Sequence, residues 1–213
     1  MDVLELAPGL WRWTARHPDW KPGDSWPPEV ACFYAEAEEA TLVVDPLIPR
    51  DEEARFWRSL DRDVERRGVP VAVLLTCAAH ARDAGETAER YRADVWGHAD
   101  AAGKVGHARF RAIGPGDVLP GGARVLPGDP WGDGTPLSLP SHRAVAVGDA
   151  LLTVDGELRA WCGDERQYRE SMLPDLRQWL ELDLEHLLIA HGEQLPGGRE
   201  LLAAALELPP YVT

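Results

Sequence analysis

Residues 76–85 read TCAAHARDAG and follow the apolar run VAVLL. They place a thiol, an imidazole, a guanidinium and a carboxylate within seven positions, at the point where a buried strand gives way to a helix. Cys77 offers a thiolate that binds soft and borderline metals once deprotonated. His80 offers a ring nitrogen for a metal or a proton. Arg82 carries a permanent charge on a planar fork suited to carboxylates. Asp83 sits in the first helical turn, where a carboxylate favours the positive end of the helix dipole. Each residue also has an ordinary reading: Cys77 as a small buried strand-end residue, His80 bonded to a carbonyl or to water, Arg82 exposed on the first turn, and Asp83 as a cap.

No competing chemistry is visible elsewhere. There is no Ser-His-Asp order, P-loop or dinucleotide fingerprint, and GDGTP lacks the strand, helix and lysine of a phosphate cradle. His142 lies in the turn PSHR, His98 and His107 flank a Gly-rich stretch, and His186 precedes a buried strand. His98 and His107 have no spacing that suggests a site, His186 reads as structural, and His142 reads as part of an exposed hairpin turn, with a donor role as the alternative.

The elements that must position the 76–85 junction alternate in type. GLWRWTA reads as a strand, and residues 16–28, rich in Pro and Trp and including His17, Trp20 and Trp26, read as an ordered surface loop. VACFYAEAE and TLVVDPLIP form a hairpin. Asp51 caps a helix to about Arg67, with Phe56, Trp57, Leu60 and Val64 on one face and Gly68 and Pro70 ending it. VAVLL suits a strand buried on both faces, ARDAGETAERYR a helix, and ADVWGH a further strand. A short helix falls near DAAGKVGHARF. PLSLP, AVAVGD and ALLTVDG then read as a meander, Pro174 marks a helix start, HLLIA is a strand, and GRELLAAALEL a closing helix. With no repeat or linker, residues 1–213 are expected to form a single mixed α/β domain.

Composition narrows the function classes. The chain has 213 residues and a formal net charge of −14, which opposes any polyphosphate, so no nucleic acid is expected. No apolar run reaches the ~20 residues of a membrane span. MDVLELAPGLW has no basic segment before an apolar one, and the three cysteines are scattered, so a reduced, cytoplasmic protein is expected. A small-molecule ligand is the expected partner; the oligomeric state and the role of loop 16–28 are left open.

The order of these pieces resembles the metallo-β-lactamase superfamily, through TLVVDP with Asp45, VAVLLT before the first crossover, LPSHRAVAVGDAL with Asp149, and LLIAHGE with His191. The resemblance covers nearly the whole chain and implies an α/β (α+β) fold, a four-layer αββα sandwich. It also implies a zinc site built on the pattern T-H-x-H-x-D-H. Thr76 matches the head of that pattern, but the ligand positions fall on Cys77, Ala79, Ala81 and Arg82. A further family histidine falls near Pro130 and Trp131 and is missing too. Asp149 and His191 survive, with His80, one place from a family position, as the replacement donor.

Catalytic zinc takes three protein ligands and an open position. The leading expectation is therefore a relative of hydrolase ancestry with most zinc ligands lost, acting as a non-catalytic ligand-binding or regulatory protein and needing no cofactor. The alternative is a mononuclear metal-dependent hydrolase of a small ester, thioester, amide or phosphoester, with zinc on Asp149, His191 and His80. Cys77, Arg82 and Asp45 are expected around the same cleft. In the metal-free reading Arg82 pairs with Asp149 and supplies the lost charge.

Overall fold

A computed structural model describes residues 2–213. The first half of the chain builds one sheet from β1 (Val3–Ala7), β2 (Leu10–Arg16), β3 (Glu29–Glu36), β4 (Thr41–Val44), β5 (Val71–Leu74), β6 (Asp94–Gly97) and β7 (Phe110–Ala112), in that spatial order. β1 to β4 are antiparallel neighbours, and β4 to β7 run parallel. The switch follows from the connections. Short turns join β1 to β2 and β3 to β4, and a loop over residues 17–28 joins β2 to β3, whereas the helix Glu53–Arg67 carries the chain from β4 to β5 and the helix Ala84–Tyr91 carries it from β5 to β6.

The second half supplies β8 (Arg124–Val125), β9 (Leu137–Leu139), β10 (Ala144–Ala146), β11 (Leu151–Val154), β12 (Glu157–Cys162), β13 (His186–Leu188) and β14 (Tyr211–Val212). They form one sheet in the order β13-β10-β9-β8 and another in the order β11-β12-β14. The expected meander therefore holds only for β9 and β10. The next strand leaves to pair with β12, and β13 takes the vacated edge of β10 in parallel.

Alternation along the strands sorts the side chains into layers. In β3, Ala31, Phe33 and Ala35 face the second sheet, where they meet Leu137, Leu139, Ala144 and Ala146, while Val30, Cys32 and Tyr34 face the helices on the other side. In and after β10 the pattern repeats: Val145 and Val147 turn outward to Leu176, Trp179 and Leu202 of the helices Leu173–Trp179 and Arg199–Leu206. Helix, sheet, sheet, helix is the resulting order, as the four-layer expectation required. The first crossover helix ends as its sequence predicts, with Gly68 at φ 62° and its N–H on Val64 O. Its start differs: Asp51 lies in a 3-10 turn, Arg50–Glu52, and makes no side-chain cap. Among the described residues no helix is long and apolar enough to cross a membrane.

A candidate single-metal centre at the strand ends

Four of the parallel strands end at the same edge. β4 delivers Asp45, β5 delivers Thr76 and Cys77, β10 leads to Asp149, and β13 leads to His191. Close approach of the two halves depends on Gly148, which sits at φ 55°. A Cβ there would lie 2.7 Å from Thr76 Oγ1, so only glycine lets the Asp149 turn settle on the end of β5. Asp45 also has positive φ, 51°, which aims its carboxylate back over the sheet end.

The buried Asp45 carboxylate organises the centre. Its Oδ1 accepts from Thr76 N at 2.8 Å, and its Oδ2 takes the Thr76 hydroxyl and lies 2.9 Å from His80 Nδ1. Asp45 thereby fixes a proton on Nδ1 and leaves His80 Nε2 facing Asp149 and His191. His80 Nε2 is 3.1 Å from Asp149 Oδ1 and 3.2 Å from His191 Nε2, and His191 Nε2 is 3.0 Å from the same Oδ1. The side chains are 3% exposed for His80, 6% for His191 and 18% for Asp149. Cys77 Sγ donates to Asp149 Oδ2 at 3.4 Å, and Cys77, His80 and Asp149 offer ligand atoms within 4.8 Å of one another.

Three atoms approaching one another this closely invite a test against a metal ion. Ligands at about 2.0–2.1 Å from a tetrahedral ion stand about 3.3 Å apart, and the three separations, 3.0, 3.1 and 3.2 Å, come close to that edge length. Asp149 Oδ1 is buried and receives no well-formed hydrogen bond despite its two imidazole neighbours, and His191 Nδ1 is likewise buried without a partner. That oxygen is open to a cation or to a proton on either of its imidazole neighbours. The donor set of one oxygen and two imidazoles suits one zinc-like ion. It does not suit two, because the remaining positions of the T-H-x-H-x-D-H pattern hold Ala79, Ala81 and Arg82.

The charges respond to the same crowding. Burial and Arg82 oppose a charge on His80, but the acids Cys77, Asp149 and Asp45 outweigh them and lift its pKa well above the ordinary value. Because burial pushes the Cys77 thiol up to about 12, the pull at neutral pH comes from the two carboxylates. Burial likewise opposes the charge on Asp149, yet His80 and His191 hold it well below the usual carboxylate range. Burial keeps His191 below its usual value. Without an ion, an imidazolium at His80 bridges Asp45 and Asp149.

Arg82 does not pair with Asp149, contrary to the metal-free expectation. Its Nη1 donates to the backbone oxygens of Ala31, at 3.3 Å, and Asp45, at 3.2 Å. The backbone at Arg82 has φ 32° and ψ −120°, a strained conformation for a side-chain-bearing residue, and it turns the guanidinium beneath β3 and β4 instead of into the cleft. His80 is the residue that meets Asp149. Asp83 accepts from Ile48 N at 2.7 Å and pairs with Arg50, so it ties a loop down instead of capping its own helix. His142 is turned away, with Nε2 on Glu36 O at 2.9 Å.

Two tryptophans pack on His191. Trp26, from loop 16–28, packs edge-on against His191 at 5.3 Å, with His17 behind it at 5.1 Å. Trp161, at the end of β12, meets the other side of His191 at 5.5 Å, and Trp131 packs on Trp161 at 5.9 Å. Trp161 had no signal in the sequence, since an indole inside an apolar strand looks the same whether it packs or lines a site. Asp133 was also unmarked. Burial, Asp129 and Asp149 raise its pKa.

No family model matches the chain, and no curated protein matches it in sequence. Solved structures do resemble it. The DIM-1 metallo-β-lactamase exposed to ceftazidime superposes with a TM-score of 0.68 over 98% of this chain and 95% of that one, at 13% identity. A metallo-β-lactamase from Hirschia baltica gives 0.67 over 100% and 99%, at 14% identity. One from Pontibacter korlensis gives 0.61 over 97% of each, at 14% identity. Identities this low speak to architecture alone, and in architecture the chain is a metallo-β-lactamase-fold protein.

Proposed function

We propose that this protein is a single-metal hydrolase of the metallo-β-lactamase fold, holding one divalent ion, zinc by preference, on His80 Nε2, His191 Nε2 and Asp149 Oδ1. The observation that carries the reading is the mutual approach of those atoms at 3.0, 3.1 and 3.2 Å, close to the edge lengths of a tetrahedral metal site. It supports the hydrolase over the non-catalytic reading that the lost ligand pattern favours, because His80 would supply the third ligand that a catalytic site requires. When bound, the ion supplies Lewis acidity that activates water and polarises the bond to be cleaved.

The chain's own residues do the rest. Asp45 and Thr76 hold His80 in one tautomer and one orientation. The Cys77 thiol donates to Asp149 Oδ2 and leaves Oδ1 for the ion. Trp26 and Trp161 keep bulk water off His191, so electrostatic interactions at the centre are stronger than they would be in solvent. Asp149, the most exposed of the three ligands, marks the side from which a substrate enters. Small esters, thioesters and amides are the substrates such a centre would serve.

A second reading keeps a specific observation in its favour. An imidazolium at His80 can bridge Asp45 and Asp149 with no ion present, which would leave a closed, non-catalytic cleft. The test is to remove metal with chelator, add back one equivalent of zinc, and follow a chromogenic aryl ester. Turnover that appears with zinc and is lost in His191→Ala supports the hydrolase. Zinc that binds without turnover, or no zinc binding, supports the closed cleft.

A further inference from the structure

Trp131 combines two properties that seldom go together. It is 40% exposed, yet its ring and its backbone are both anchored. Its indole packs edge-on to Trp161 at 78° and donates Nε1–H to Asp149 O at 3.3 Å. Gly163 lies beneath it, where a Cβ would approach the ring to 3.4 Å. Its backbone is fixed by Asp129, whose Oδ1 accepts from Trp131 N at 3.2 Å, and by Gln167 Nε2 on Pro130 O. Further along the same loop, Ala78 N donates to Asp133 O at 3.1 Å and Thr135 N donates to Thr76 O at 2.6 Å. An exposed apolar ring fixed this firmly has lost its freedom before any ligand arrives, which is the condition for a preorganised contact.

Position says what it would contact. His80 and His191 are nearly inaccessible, and Asp149, the open side of the centre, carries Trp131 on its own carbonyl. The group next to a bond under attack therefore lies along the indole. Charge says what kind of group it is. Asp129, Asp133 and Asp149 border this rim, and no Lys or Arg ion pair to any of them occurs among the described residues. Around Asp133 burial and the acids Asp129 and Asp149 outweigh Lys104 and His98, so an anionic substituent held on the indole, away from the ion, would be desolvated against carboxylates.

We infer that Trp131, backed by Trp161, is a specificity determinant that receives a flat, uncharged aromatic group beside the scissile bond. The inference deepens the hydrolase reading and rests on it for the position of that bond, but binding of the aromatic group itself requires no ion. Stacking on an indole supplies attraction to any neutral ring in addition to the area it buries.

Calorimetric titration with benzamide, acetamide and benzoate, on zinc-loaded and on chelated protein, tests this. Benzamide should bind both forms, with acetamide at least about ten-fold weaker on each, and benzoate at least about ten-fold weaker on the chelated protein, where no ion can ligate its carboxylate. Trp131→Ala should weaken benzamide about ten-fold, and Trp131→Phe should keep it within about three-fold. Benzoate binding the chelated protein as tightly as benzamide, unchanged benzamide affinity in Trp131→Ala, or no benzamide binding to the wild-type chain would each overturn the inference. Loss of zinc binding with benzamide affinity intact would overturn the metal reading alone.

Discussion

Asp45 Oδ2 lies 2.9 Å from His80 Nδ1, joining the end of β4 to a residue that the ancestral ligand pattern leaves unassigned. This contact turns a spacer position toward Asp149 and His191, because it pins the ring and leaves Nε2 facing them. Asp45→Asn keeps the shape and removes the charge. It should weaken zinc binding by about 10–100-fold, the usual cost of losing a carboxylate behind a ligand histidine. Competition with a chromogenic chelator measures it, and unchanged affinity would mean that His80 is not oriented through Asp45.

Arg82 should couple weakly to Asp149. Its hydrogen bonds go to the Ala31 and Asp45 carbonyls, so Arg82→Ala should cost about 2 kcal/mol by loss of charged hydrogen bonds between strands. A double-mutant cycle with Asp149→Asn, read by urea unfolding, should give a coupling under about 0.5 kcal/mol. Coupling of several kcal/mol would restore the buried ion pair.

Gly148→Ala should be among the costliest small substitutions in the chain. Positive φ and a Cβ placed 2.7 Å from Thr76 Oγ1 force the Asp149 turn away from β5. A loss of about 2–4 kcal/mol is expected, with weakened zinc binding. The denaturant midpoint and a zinc titration of the same variant check both effects.

The metal-free protein should lose stability as the solution becomes alkaline. Folding raises the His80 pKa, so its contribution is complete below about 6.5 and disappears as pH rises through the folded value. Asp149 behaves in the opposite sense: its folded pKa is depressed, so its contribution is present above about 3.9 and is lost as pH falls. The Tm of chelated protein should therefore decline above pH 7, and His80→Gln should flatten that decline. An identical alkaline limb in the variant would show that His80 is not protonated between Asp45 and Asp149.

Much of the architecture was legible because buried strands and crossover helices differ in period. VAVLL and HLLIA could be placed before any coordinates, and their ends located Thr76 and His191. The partner change of β11 was not legible, since Leu151–Val154 alternates in the same way whichever neighbour it takes. Within the site, Asp149, His191 and His80 are reached through the metallo-β-lactamase resemblance, by matching VAVLLT, LPSHRAVAVGDAL and LLIAHGE to that family's pattern, and the structure brings the three together. The role of Arg82 could not be read in the sequence, because it depends on a strained backbone, φ 32°, that no residue type announces. Nor could Trp131 and Trp161, whose meeting depends on how the 127–134 loop lies against the end of β12.

Metal content tests the central claim most directly. Protein stripped with chelator, exposed to excess zinc and desalted should retain about one ion per chain, as a centre of three protein ligands predicts. His80→Ala, His191→Ala and Asp149→Ala should each abolish retention while Arg82→Ala keeps it. Retention of two ions, of none, or of one that survives His80→Ala would contradict the account.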